Sequence, residues 1–173
     1  MPFPRNWLEE LIAEYVQLEE YCVETGHPVQ TGKKGGRLEL DILGVKTDGK
    51  IPCLWHIEAG RARSKKERAD KIQNQLLDPC IDEELNRLFG TAKRKKWFVS
   101  EDIKESSGTW QELKKDFAGK VTLITFEELM RKIEEAIKQW KKRHVTEEGN
   151  PPTLPGNLWL LKMLDRMNET RKQ

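Results

Sequence analysis

Two carboxylates, Asp41 and Glu58, lie 17 residues apart in two stretches that both read as β-strands. Residues 37–45, RLELDILGV, alternate, with Leu38, Leu40 and Ile42 to one side and Glu39, Asp41 and Leu43 to the other. Residues 51–59, IPCLWHIEA, place Cys53, Trp55, Ile57 and Ala59 on one side and Leu54, His56 and Glu58 on the other. Between them, Thr47-Asp48-Gly49-Lys50 carries Asp-Gly, the strongest short hairpin signal. A hairpin makes the strands neighbours at roughly 4.8 Å, so side chains on one face approach within about 5–8 Å. Two carboxylates that close repel, and a shared proton or a shared cation relieves the repulsion. A hard cation such as Mg²⁺ takes one or two carboxylates and fills its shell with carbonyl oxygens, water or phosphate. Glu39 faces the same way as Asp41 and supports such a site; His56 stands beside Glu58, within reach of a phosphate or a water. The plainer alternative is a set of acids on a solvated sheet face, with no metal.

Cations flank the acids. Arg61, Arg63, Lys65, Lys66, Arg68 and Lys71 follow Glu58, against only Glu67 and Asp70. Lys93, Arg94, Lys95 and Lys96 form a second cluster, and Lys33, Lys34 and Arg37 lie on the glycine-rich approach to Asp41. Acid at the centre with base at the rim suits a phosphodiester: cations hold the backbone and acids hold a metal. Each cluster alone reads more readily as a solvated charged face; their joint placement beside the acidic pair is what points to a site.

The elements that must position these groups follow from periodicity. Residues 6–20 read as a helix, capped by Asn6 with Glu9 three residues on. Tyr21–Glu24, and a piece over Val29–Thr31, read as short extended segments between Gly26, Pro28 and Gly32. Ser64 and Glu67 open a helix to about Leu77, Asp78-Pro79 breaks it, and a short helix follows over 81–89. Lys96–Ser100 and Val121–Thr125 read as strands, 109–118 and Phe126–Arg143 as helices. A linker, VTEEGNPPTLPG, then leads to a last helix over Asn157–Arg171, which either packs on the core or docks a partner. The expected fold is α/β: a central mixed sheet with a three-strand meander, flanked by helices, plus a C-terminal helix. The expected division is a domain over 1–144 and a proline-rich linker with an amphipathic helix over 145–173.

The run G-G-R-L-E-L-D-I-L-G-V, followed by a turn and W-H-I-E-A-G-R-A-R, resembles the PD-(D/E)xK nuclease superfamily, the restriction-endonuclease-like fold. The likeness covers about residues 6–140. It implies a Mg²⁺- or Mn²⁺-dependent endonuclease acting on DNA. Asp41 matches the family aspartate and Glu58 its acidic partner, with the Ala59 carbonyl as an extra metal ligand. One of Glu9, Glu10 or Glu14 matches the acid that some members carry on the first helix, Glu10 in first place. The family lysine belongs two residues after Glu58, where this chain has Gly60. Three explanations stand side by side. The cation comes from elsewhere, Lys65 first and Arg61 or Arg63 next; or the site binds metal and works slowly; or catalysis is lost and the fold only binds nucleic acid or protein. Lys34, Arg37, Arg63, Lys66, Lys93, Arg94 and Lys95 are the expected DNA contacts. A homodimer, formed through the last helix, would supply the two sites that double-strand cutting needs.

Composition bounds these readings. The chain has 173 residues, 35% charged and 36% hydrophobic, which suits one domain with a heavily ionised surface. Its 31 Lys+Arg against 29 Asp+Glu leave a net charge of +2, so bulk charge does not drive it onto DNA. Cys22, Cys53 and Cys80 are an odd number without CxxC spacing, against both a disulfide framework and a zinc site. No P-loop or G-x-G-x-x-G occurs. No secretory signal or membrane-spanning run is visible, so a cytoplasmic setting is expected.

Overall fold

The computed structural model describes residues 6–29, 38–47, 49–145, 149 and 152–170. Helix α1 (Trp7–Leu18) leads into strands β1 (Cys22–Val29), β2 (Leu38–Lys46) and β3 (Cys53–Gly60). Helix α2 (Lys65–Lys71) continues as a single π-helical turn (Ile72–Leu76), followed by α3 (Pro79–Phe89) and β4 (Lys93–Ser100). Helix α4 (Gly108–Asp116), strand β5 (Thr122–Thr125), and helices α5 (Phe126–Arg143) and α6 (Trp159–Thr170) complete the chain.

The strands form one mixed sheet in the order β1-β2-β3-β4-β5. The first three make an antiparallel meander, and β3, β4 and β5 run parallel. Parallel pairs need crossovers; α2, the π-turn and α3 supply the first and α4 the second. Trp55, Ile57, Val99 and Ile124 pack against α1, α5 and α6 on one face. Their strand neighbours Phe98 and Leu123 pack on the other face against the π-turn and α4. Leu54, Leu40 and Leu43 pack there as well, against α3. The mixed sheet with helices on both faces is therefore as expected. Among the described residues no helix is long and apolar enough to cross a membrane.

Capping residues set most helix starts. The Asn6 carboxamide accepts the Glu9 N–H at 3.0 Å, and Ser64 Oγ accepts the Glu67 N–H at 3.1 Å. Thr125 and Glu128 make a full capping box at the head of α5. Asp78-Pro79 separates two helices, as expected, and also starts α3 two residues earlier than expected: Asp78 caps it and Pro79 takes the first helical position, where no N–H is needed.

Two expectations are corrected. Strand β1 runs unbroken through Gly26 and Pro28, because an edge strand tolerates a missing N–H on its open side. The alternation along β2 is also not uniform. Leu40 and Leu43 share a face while Ile42 lies on the opposite one, so the phase slips at Asp41. Opposite this slip stands Gly26, whose φ of +64° is left-handed.

The last segment is not detached. Leu154, Leu158 and Leu161 are buried in the same core as α1 and α5. Trp159, Met163 and Met167 of α6 remain exposed.

Candidate active site

The site lies where β2 and β3 stop pairing. Their ladder runs from Lys46↔Cys53 to Ile42↔Ile57 and ends there. The next pair would be Asp41 and Glu58, but side chains replace the ladder. Asp41 N–H donates to Glu58 Oε1 at 3.2 Å, and Ala59 N–H donates to Asp41 Oδ2 at 3.0 Å. Each acid thus satisfies a backbone amide that the parting strands would orphan. The two carboxyl groups also meet through a side-chain hydrogen bond.

Glu58 is 1% exposed. Burial pushes its carboxyl well above the usual range; the charge of Asp41 adds to this, the Asp41 N–H opposes it, and the charge of Glu9 adds a smaller push. His56 Nε2 lies 2.8 Å from Glu58 Oε1. Burial, and then the charge of Lys96, push the imidazole down to about 3, against a weaker opposing pull from Asp82. Both groups are therefore driven toward their neutral forms, and the contact is a hydrogen bond rather than an ion pair. Glu58 Oε2 and His56 Nδ1 are buried and have no hydrogen-bond partner among the described residues.

The first-helix acids take distinct places. Glu9 is buried, accepts the Asn6 carboxamide N–H at 2.6 Å, and is the α1 acid whose charge acts on Glu58. Glu10, favoured from the sequence, instead accepts the Trp159 indole N–H at 2.9 Å. Glu14 accepts the Leu160 and Leu161 N–H groups at 3.1 and 2.9 Å. Position within the helix separates them: Glu9 faces the sheet, whereas Glu10 and Glu14 face α6. Glu39 is half-buried on β2, opposite Pro28.

The expected cations are mostly committed elsewhere. Arg61 makes two bonds to the Glu101 carboxylate, at 2.8 and 2.7 Å. Lys65 reaches Glu112 and Asp116 on α4, at 2.9 and 3.2 Å. Arg68 is buried against Asp102 at 3.0 Å. Arg63 and Lys66 are exposed. The run Lys93–Lys96 does not form one basic patch. Arg94 and Lys96 turn to Asp82 on α3, Lys95 lies over the Tyr21 and Trp55 rings on the other face, and Lys93 is exposed. Strand alternation splits the run between faces. Lys34 and Arg37 lie outside the described residues.

The sequence places Lys71 in the cluster of cations after Glu58 but not among the candidates for the missing lysine. Gly60, with φ +154°, occupies a backbone conformation that favours glycine. The Lys71 ammonium lies 3.5 Å from where a Cβ on residue 60 would stand. Its position at the end of α2, eleven residues further on, carries no pattern that sequence spacing detects.

Among the described residues no cluster of three or more His, Cys, Asp or Glu side chains is arranged to hold a metal. The Asp41–Glu58 pair still fits a hard divalent ion. Such ions accept one or two carboxylates with water completing the shell, and the pair offers one buried oxygen without a partner. Compared with protein-family models, curated proteins and solved structures, the chain shows no match.

Proposed function

We propose that this protein is a Mg²⁺- or Mn²⁺-dependent deoxyribonuclease of restriction-endonuclease-like fold, hydrolysing phosphodiester bonds in DNA. The observation that carries this reading is the clasp between Asp41 and Glu58. The acids converge where the strands part, one of them is buried, and its second oxygen meets no donor among the described residues. Asp41 and Glu58 would hold the ion, with the Ala59 carbonyl beside them. When bound, the ion would supply a water of lowered pKa and neutralise charge developing on the phosphate. The protein's own part is to fix the two carboxylates through backbone amides and to keep His56 neutral beside Glu58. Among the described residues, the expected DNA contacts Arg63, Lys66 and Lys93 are exposed. Cutting both strands takes two sites, and the reading includes a cytoplasmic homodimer through the last helix, which sedimentation tests.

The decisive assay compares wild type with Asp41→Asn and Glu58→Gln on linear, circular and single-stranded DNA with Mn²⁺. Both substitutions are expected to abolish cutting. Cleavage that survives both removes the site assignment.

A second reading has its own observation. Gly60 offers no side chain, and Arg61 and Lys65, the first replacements in sequence, are neutralised by carboxylates. A non-catalytic nucleic-acid or protein-binding module of the same fold fits that arrangement. Salt-dependent DNA binding without cleavage would favour it.

A further inference from the structure

We infer that Lys71 supplies the positive charge of the site and contacts the phosphate of the substrate. The inference rests on the proposed reading of Asp41 and Glu58 and adds a residue to it. Three features of the structure carry it.

The first is position. Gly60 stands two residues beyond Glu58 on β3, and alternate residues of a strand share a face. A side chain at 60 would lie beside Glu58. The Lys71 ammonium occupies the approach to that place, 3.5 Å from the missing Cβ. Ala59, between the two, has its N–H on Asp41.

The second is availability. Lys71 Nζ donates to the Arg61 carbonyl at 2.8 Å, and among the described residues it meets no carboxylate. Arg61, Lys65, Arg68, Arg94 and Lys96 each face one. A carbonyl anchors the ammonium without neutralising it. One of three donors is used, leaving two for phosphate oxygens.

The third is the helix that delivers it. Lys71 is the last residue of α2, and the π-turn starts at Ile72. Ile72 and Leu76 are buried against Phe98 and Trp110, which pins the turn to the sheet. Single π-turns interrupt helices often at functional sites. Here the turn holds the end of α2 over the end of β3, and a long flexible side chain spans the gap.

The test uses the full chain and three variants. Lys71→Met removes the charge; Lys71→Gln removes it while keeping a donor for the Arg61 carbonyl, should the Met variant be unfolded by circular dichroism; Lys71→Arg keeps the charge. Three measurements are made: cleavage of a DNA duplex with Mn²⁺, calorimetric titration with Mn²⁺ alone, and duplex binding in Ca²⁺ against salt. Neutral variants are expected to cut about 10²-fold more slowly, the usual cost of one donor at a developing charge. They should bind Mn²⁺ more tightly, because a repelling ammonium is gone. Their log–log salt slope should fall by about 0.9, one phosphate contact. Lys71→Arg should keep the wild-type Mn²⁺ affinity and recover part of the rate. Equal cutting by wild type and the neutral variants overturns the role of Lys71 and leaves Asp41 and Glu58 standing. A wild type that cuts nothing overturns the nuclease reading. In that case, an unchanged Mn²⁺ affinity and salt slope in the neutral variants overturn the inference as well.

Discussion

Asp41 and Glu58 hold each other through the backbone: the Glu58 carboxyl accepts the Asp41 N–H, and the Asp41 carboxyl accepts the N–H of Ala59, the residue after Glu58. Sheet geometry and site chemistry are thus one feature. The strands part because their ladder bonds are taken by side chains, and the parting opens the space in which the acids meet. A shared face of two ordinary paired strands would have left the carboxylates side by side with no gap between the backbones.

The buried Glu58–His56 pair makes stability depend on pH from both sides. Glu58 in the fold holds its proton above the ordinary 4.5, so its contribution is complete below that value and is lost as pH rises toward the folded one. His56 in the fold stays neutral down to about 3, whereas the unfolded side chain protonates near 6.5. Its contribution is complete above 6.5 and is lost as pH falls from there toward 3. From 4.5 upward the two trends oppose each other. In metal-free buffer, Glu58→Gln should flatten the alkaline decline and His56→Gln the acid one, each by up to about 1.4 kcal/mol per pH unit. Urea unfolding across pH 3–9 reads both slopes, and parallel curves for Glu58→Gln and wild type would mean that Glu58 is ionised in the fold.

Gly44 is a point of close approach between α1 and the sheet. It lies on β2 between Val23 and Trp55, and a Cβ there would stand 2.7 Å from Val16 Cγ1 and 3.3 Å from the Tyr21 ring. Neither side chain has room to retreat, since Val16 is fully buried and Tyr21 packs edge-on to Trp55. Gly44→Ala should therefore cost about 1–3 kcal/mol as overpacking, measured as a lower urea midpoint at unchanged slope. Because α1 carries Glu9, the same variant should also weaken Mn²⁺ binding. A variant as stable as wild type would place α1 farther from the sheet.

What could be read from the sequence was local. Alternation over residues 37–59 with the Asp-Gly turn, and caps at Asn6 and Ser64, mark elements whose residues are contiguous. The phase slip at Asp41 leaves no such mark. Leu38, Leu40 and Ile42 look regular, and the slip arises from bonds to Glu58 and Ala59 across the sheet. The split of Lys93–Lys96 between two faces follows from a strand that begins three residues earlier than its apolar core suggested. Choosing Glu9 over Glu10 needed the placement of α6, which claims Glu10 through Trp159. Lys71 meets Gly60 at the end of α2, where a π-turn begins, and a five-residue irregularity within an otherwise helical pattern has no periodicity to detect.

Glu14 fastens the last helix. Its carboxylate accepts the Leu160 and Leu161 N–H groups, two of the donors that the start of α6 would otherwise leave open. Burial raises the Glu14 carboxyl, and these bonds pull it back. Glu14→Ala should remove both acceptors at a cost of about 1–3 kcal/mol and free α6 before the sheet unfolds. Hydrogen exchange should show faster exchange at residues 160–164, with β3 and β4 unchanged. Protection equal to wild type would mean that Leu158 and Leu161 alone hold the helix.

Glu9 and Glu10 are adjacent in α1 but differ in what they face, and this separates the two acids by experiment. Glu9 is 6% exposed and its charge acts on Glu58 through the apolar interior, where screening by salt is weak. Removing that charge in Glu9→Gln should lower the Glu58 carboxyl toward its ordinary range, shift the alkaline decline in stability to lower pH, and weaken Mn²⁺ binding because one attracting charge is gone. The Glu10 bond to Trp159 is exposed, so Glu10→Gln should leave the Mn²⁺ affinity of wild type, with a stability change within about 1 kcal/mol. Calorimetric Mn²⁺ titration of the two variants decides between them. The reverse ranking, with Glu10 governing Mn²⁺ affinity and Glu9 without effect, would mean that α1 presents its other face to the acid pair.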